Sequence, residues 1–102
     1  MKVLKYQIVD EETDVTVNYH KIQSYYVNLE YNVIQATIAS FVSQKSLRNN
    51  KPVGDRVDIN IEVEDATAIK DVVEYILANI SKATATSGAG NPFANAEVVE
   101  VS

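Results

Sequence analysis

One hundred and two residues, 46% of them hydrophobic and 23% charged, make a chain of single-domain size with enough length to bury a core unaided. The absence of cysteine excludes a disulfide scaffold, a zinc knuckle, an iron–sulfur site and a thiol nucleophile. A net charge of −5 sets the chain as a whole against duplex DNA and anionic membranes.

No apolar run approaches the roughly 18 residues that a membrane span needs. The opening Met-Lys-Val-Leu-Lys turns polar too soon for a signal peptide. Valine and isoleucine together number 24 against 5 for leucine and methionine. Branching at Cβ stiffens χ1 and suits a pleated surface, so the balance predicts a sheet-dominated fold.

Residues 3–9 (VLKYQIV) and 15–19 (VTVNY) alternate apolar and polar positions, and the polar DEETD between them predicts a β-hairpin. From Tyr25 the alternation resumes, with Tyr25, Val27, Leu29, Tyr31 and Val33 on one face. It slips phase at Val33-Ile34, as a β-bulge inside one long strand over 25–42 would make it do. Helical spacing also fits Val33, Ile34, Thr37, Ile38, Phe41 and Val42, with Asn32 as N-cap, but β-branching favours strand. The segment after Val42, with Asn49-Asn50 and Pro52, reads as a loop with a helical turn over 44–48.

Residues 56–64 alternate strictly, Val57, Ile59, Ile61 and Val63 inward, as a strand with one wet face. Asp65 then caps a predicted helix over 66–80, whose stripe is Ile69, Val72, Val73, Ile76, Leu77 and Ile80. Residues 82–95 are small and polar and read as a flexible linker, and 96–102 as a C-terminal arm with a short strand. The predicted domain is therefore 1–81. Its fold class is α+β: a mainly antiparallel sheet of four to five strands, one packed helix in the C-terminal half, and an extended arm.

Chemistry-bearing residues are few. His20 is the single histidine, placed at a strand end where it reads as a surface residue without an assignable serine or acid partner. No carboxylate pair falls in an acid/base motif, so an enzyme is not expected. Asp10, Glu12 and Asp14 match positions 1, 3 and 5 of a calcium loop, but Val15 and Lys21 stand where it needs glycine and glutamate. No glycine cluster precedes the helix, and no cofactor or metal is expected.

Charge is unevenly spread. Segment 43–56 holds Lys45, Arg48, Lys51 and Arg56 against Asp55, a local +3, whereas Asp10, Glu11, Glu12 and Asp14 make a local −4. Such a pair suits a head-to-tail contact between copies, and rings or tubes follow from it. The linker would let Phe93, Val99 and the rest of the arm reach a neighbour, since 14 residues span up to about 45 Å at roughly 3.3 Å each. Its strand would then add to an exposed sheet edge. Tyr25, Tyr26 and Tyr31 beside Lys45, Arg48 and Lys51 offer a second reading, stacking of single-stranded nucleic acid over a basic groove. Against it, Tyr25 and Tyr31 fit the core and Tyr26 the rim.

The order of elements resembles that of small bacteriophage virion proteins of the tail, neck and head-completion kind. The hairpin of 3–19, the strand of 25–42, the stretch ATIASFVSQKSLRNNKPVG at 36–54, the 57–63 strand, the 66–80 helix and the loose arm carry the likeness. It covers nearly the whole chain and is architectural, with no residue motif behind it. The resemblance implies a non-enzymatic subunit that assembles with itself and with other virion proteins, in the virion after assembly in host cytoplasm. A small intracellular inhibitor acting through edge-strand contact is the alternative.

Overall fold

The computed structural model describes residues 1–86, 88 and 90–101. Ser87 and Ala89 of the predicted linker and Ser102 of the arm lie outside the described residues. Strands β1 (Lys2–Asp10), β2 (Val15–Asn28), β3 (Val33–Phe41), β4 (Val57–Glu62), β5 (Thr84–Ala85) and β6 (Glu97–Glu100) form one antiparallel sheet in the order β5-β4-β3-β2-β1-β6. The helices are α1 (Gln44–Arg48) and α2 (Val72–Asn79), the latter flanked by single 3₁₀ turns at Ala66–Ala68 and Ile80–Lys82.

The N-terminal hairpin forms as its alternation predicts. Its tip closes through the Asp14 N–H on the Asp10 carbonyl at 2.8 Å, with Asp14 left-handed at φ 56°. The Asp10 carboxylate accepts from Thr13 Oγ1 at 2.8 Å, a local turn that favours Asp at this position.

The predicted 25–42 strand is in fact two strands. β2 runs on from the first hairpin to Asn28, and the chain reverses through 29–32 into β3. Asn28 Oδ1 accepts the N–H groups of Glu30 and Tyr31, and Asn32 takes φ 54°, so two asparagines build a turn where the pattern showed only a slipped phase. Residues 33–41 are strand rather than helix. β3 lies between β2 and β4 and is buried on both faces: Ile34, Ala36 and Ile38 on one side, Ala39 and Phe41 on the other. A doubly buried strand carries a near-continuous apolar run, which is why helical spacing also matched it.

The predicted 66–80 helix is broken. Asp65 caps a single 3₁₀ turn, Ile69 returns to extended backbone, and Asp71 caps α2 by accepting from the Glu74 N–H at 3.1 Å. Two N-capping residues six apart give the chain two starts. Most of the predicted stripe is nevertheless inward: Ile76, Leu77 and Ile80 are buried over Leu4, Ile34, Ile38 and Ile59, with Ile69 and Val72 packed beside them, whereas Val73, predicted in the stripe, is exposed. The sheet's other face is covered in part, by Leu47 of α1 against Val3, Ala39, Phe41 and Val101.

The C-terminal segment closes on its own domain instead of reaching outward. Asn91 Nδ2 donates to the carbonyls of Ile80 and Ala83, its Oδ1 accepts from the Phe93 N–H, and Phe93 is buried in the helix-side core. Thr84 and Ala85 pair with β4, and β6 pairs with β1, Val99 opposite Val3. Pairing of β1 with β2 begins only at Leu4, so β6, pairing Lys2 to Lys5, satisfies a row of backbone groups that would otherwise stay open. The described residues of arm and linker thus pair with and pack on the sheet of their own chain, and the strand count is six where four to five were expected.

Candidate functional site

The two ends of the sheet differ in chemistry. One end gathers the β1–β2 tip (residues 11–14) and the β3–β4 connection (42–56), the acidic and basic islands together. Gly54, at φ +75°, lies so close to Asp10 that a Cβ there would sit 2.7 Å from Oδ2. Lys45, Arg48 and Lys51 are exposed, as are Glu12 and Asp14. Among the described residues the ion pairs are Met1 amine–Glu100 and Lys2–Glu74, so these three cations are not engaged within the subunit. The two islands thus lie side by side at one end of the sheet.

The other end holds the β2–β3 turn and the β4–α2 connection, tied by the Val63 and Ala66 N–H groups on the Asn32 carbonyl and side chain at 2.8 and 2.9 Å. Pairing of β2 with β1 stops at His20 opposite Leu4, while pairing with β3 continues to Asn28. The last residues of β2 therefore overhang, and among the described residues no strand pairs with that free edge. Its side chains are unusually apolar for a projecting tip: Tyr25 is 48% exposed, Tyr26 62%, Leu29 61% and Tyr31 72%. Tyr25 lies opposite Ala36 on the helix-side face and Tyr26 opposite Gln35 on the other. Tyr25 and Tyr31 are thus not core residues. Leu29 and Tyr31 fall in the turn, where the alternation that placed them inward does not hold.

Beside this tip runs a groove of about 600 Å³ between the β4–α2 connection and α2, floored by Val63, Ala68, Ile69, Tyr75 and Ala78. Glu64, Asp65, Asp71 and Glu74 rim it with Lys70. Its signal in the sequence, acids interleaved with the helix stripe, reads as an ordinary solvated face until the helix breaks at Ile69.

His20 is not at the surface. It is 0% exposed, in the helix-side core, with its ring 5.0 Å from that of Phe93. A β1 bulge places two residues, Tyr6 and Gln7, opposite one of β2, and the Tyr6 carbonyl meets His20 Nε2 at 2.7 Å. A carbonyl only accepts, so Nε2 carries the proton and Nδ1 accepts from Ser40 Oγ at 2.8 Å. Burial pushes the imidazole pKa below its usual 6.5, with the Tyr6 hydrogen bond opposing more weakly. Serine and histidine thus meet in a hydrogen bond that the sequence could not assign. Locating the hairpin turn at 29–32 is the signal that would have paired them. With the ring closed off by Phe93 and Tyr6, the pair completes the core's polar accounting: among the described residues no buried side-chain polar atom lacks a partner.

Phe93 and Val99, expected at an interface, are respectively buried in the core and packed half-buried over Val3 and Phe41. Among the described residues no group of three or more His, Asp or Glu side chains is arranged to hold a metal ion, and no helix is long and apolar enough to cross a membrane. No family model, curated protein or solved structure matches the chain.

Proposed function

We propose that the protein is a non-enzymatic structural subunit that associates with copies of itself, of the kind found in a phage virion or related particle. The observation that carries self-association is the overhanging end of β2. An open strand edge bearing Tyr25 and Tyr26, beside a turn exposing Leu29 and Tyr31, joins unpaired backbone donors and acceptors to aromatic area. Solitary proteins blunt such edges with lysine, proline or a cover. Here the edge is left open, and tyrosine is a residue enriched where two proteins meet. The virion setting is supported by the architectural resemblance alone.

Single-strand nucleic-acid binding fits less well. Glu30 shares the turn with Tyr31 and Glu62 pairs with Val33 at that end of β3, whereas Lys45, Arg48 and Lys51 are at the far end of the sheet. Aromatics and cations therefore do not share a groove. The deciding measurement is the solution mass of the purified chain over a concentration series, with and without a single-stranded oligonucleotide. Self-association is expected, unchanged by oligonucleotide and lost in a folded Tyr26→Lys/Tyr31→Lys variant. A monomer at every concentration would overturn the reading, and a monomer that takes up oligonucleotide would put the nucleic-acid reading in its place.

A further inference from the structure

We infer that the basic β3–β4 loop of one copy docks into the acid-rimmed groove beside α2 of the next, making a head-to-tail contact; this rests on the self-association proposed above and names its second surface. Three observations carry it. The loop and the groove lie at opposite ends of β4, whose six residues at about 3.3 Å each hold them roughly 20 Å apart. The contact therefore cannot close within one subunit, and a contact between two different surfaces repeats from copy to copy into a ring or a filament.

The charges are complementary and largely unspent. Lys45, Arg48 and Lys51 are exposed, and the described ion pairs do not include them. Glu64, Asp65 and Asp71 line the groove, with Glu74 paired only to the exposed Lys2 across 3.2 Å. Asp65 and Asp71 each commit a carboxylate oxygen, Oδ1, to a helix cap, which leaves Oδ2 for a partner. The groove floor is apolar, so it suits lysine and arginine, whose aliphatic stems lie along apolar surface while their charged heads reach the rim. The acidic β1–β2 tip, the other negative surface, lies at the same end of the sheet as the loop, with Asp10 against the loop's own Gly54, so a loop-to-tip contact would not join opposite ends of two copies.

The test is charge exchange in the full chain, read by solution mass with circular dichroism confirming the fold. One variant carries Lys45→Glu, Arg48→Glu and Lys51→Glu. The other carries Glu64→Lys and Glu74→Lys, sparing the two capping aspartates. Each alone should associate at least about tenfold more weakly than the unaltered protein, and an equimolar mixture should regain assembly, because each reversed surface then has an opposite charge to meet. If either variant assembles as the unaltered chain does, or the mixture remains dissociated, the pairing is overturned while self-association through the open edge stands. If the unaltered chain is itself a monomer throughout, both fall.

Discussion

Acidification from pH 7.5 to 5.5 should destabilise the protein through His20. The ring is 0% exposed, donates from Nε2 to the Tyr6 carbonyl and accepts at Nδ1 from Ser40. Burial lowers its folded pKa below 6.5, so between that folded value and 6.5 the unfolded chain binds a proton that the native state does not. Stability is then fully present above pH 6.5 and falls as pH drops, with a limiting slope of about 1.4 kcal/mol per pH unit for one proton. Below pH 6.5 the loss follows that slope only as far down as the folded pKa, and each full unit of it is a sizeable share of the roughly 5–15 kcal/mol typical of a domain. Urea denaturation at half-unit pH steps measures it, and the window lies above the usual range for exposed carboxylates. A His20→Gln variant should be less stable but lack the slope. A flat profile in the unaltered protein, or the same slope in the variant, would refute the assignment of a buried neutral histidine.

Other perturbations separate the core from the surface. Phe93→Ala removes a buried ring from the helix-side core and should cost about 3–5 kcal/mol in chemical denaturation. A loss below about 1 kcal/mol would mean that the C-terminal segment is a free arm after all. Ile76→Ala, on the buried face of α2, should cost about 2–5 kcal/mol by the same measurement. Gly54→Ala places a methyl group at φ +75° and 2.7 Å from Asp10 Oδ2, so thermal unfolding should show a loss of about 1–3 kcal/mol. Because β6 pairs with β1 of its own chain, amides at 98–101 should be equally protected from exchange in dilute and concentrated samples, and protection only at high concentration would restore an exchanged arm.

What the amino-acid sequence determined by itself was local and periodic. The first hairpin, the inward set Ile59 and Ile61 of β4, and the buried stripe Ile76, Leu77, Ile80 all follow from a side-chain period of 2 or 3.6 with a turn or cap at the end. The island charges are equally legible, since charge is a property of composition. Where two local signals competed, the outcome depended on partners far along the chain. Residues 33–41 became strand because β2 pairs along their whole length and β4 along 33–38, and α2 starts from the Asp71 cap, whose turn carries Ile76 and Leu77 onto the sheet. His20 and Ser40, Gly54 and Asp10, and the groove beside the tyrosine tip are products of register and topology. Such contacts join residues with no periodic relation in sequence, so only the tertiary structure decides them. The C-terminal strand shows the same limit most plainly. Its composition announced a strand, but a strand's composition does not say whose edge it will complete. The open start of β1, with Phe93 and Val101 to bury, settled that within the chain.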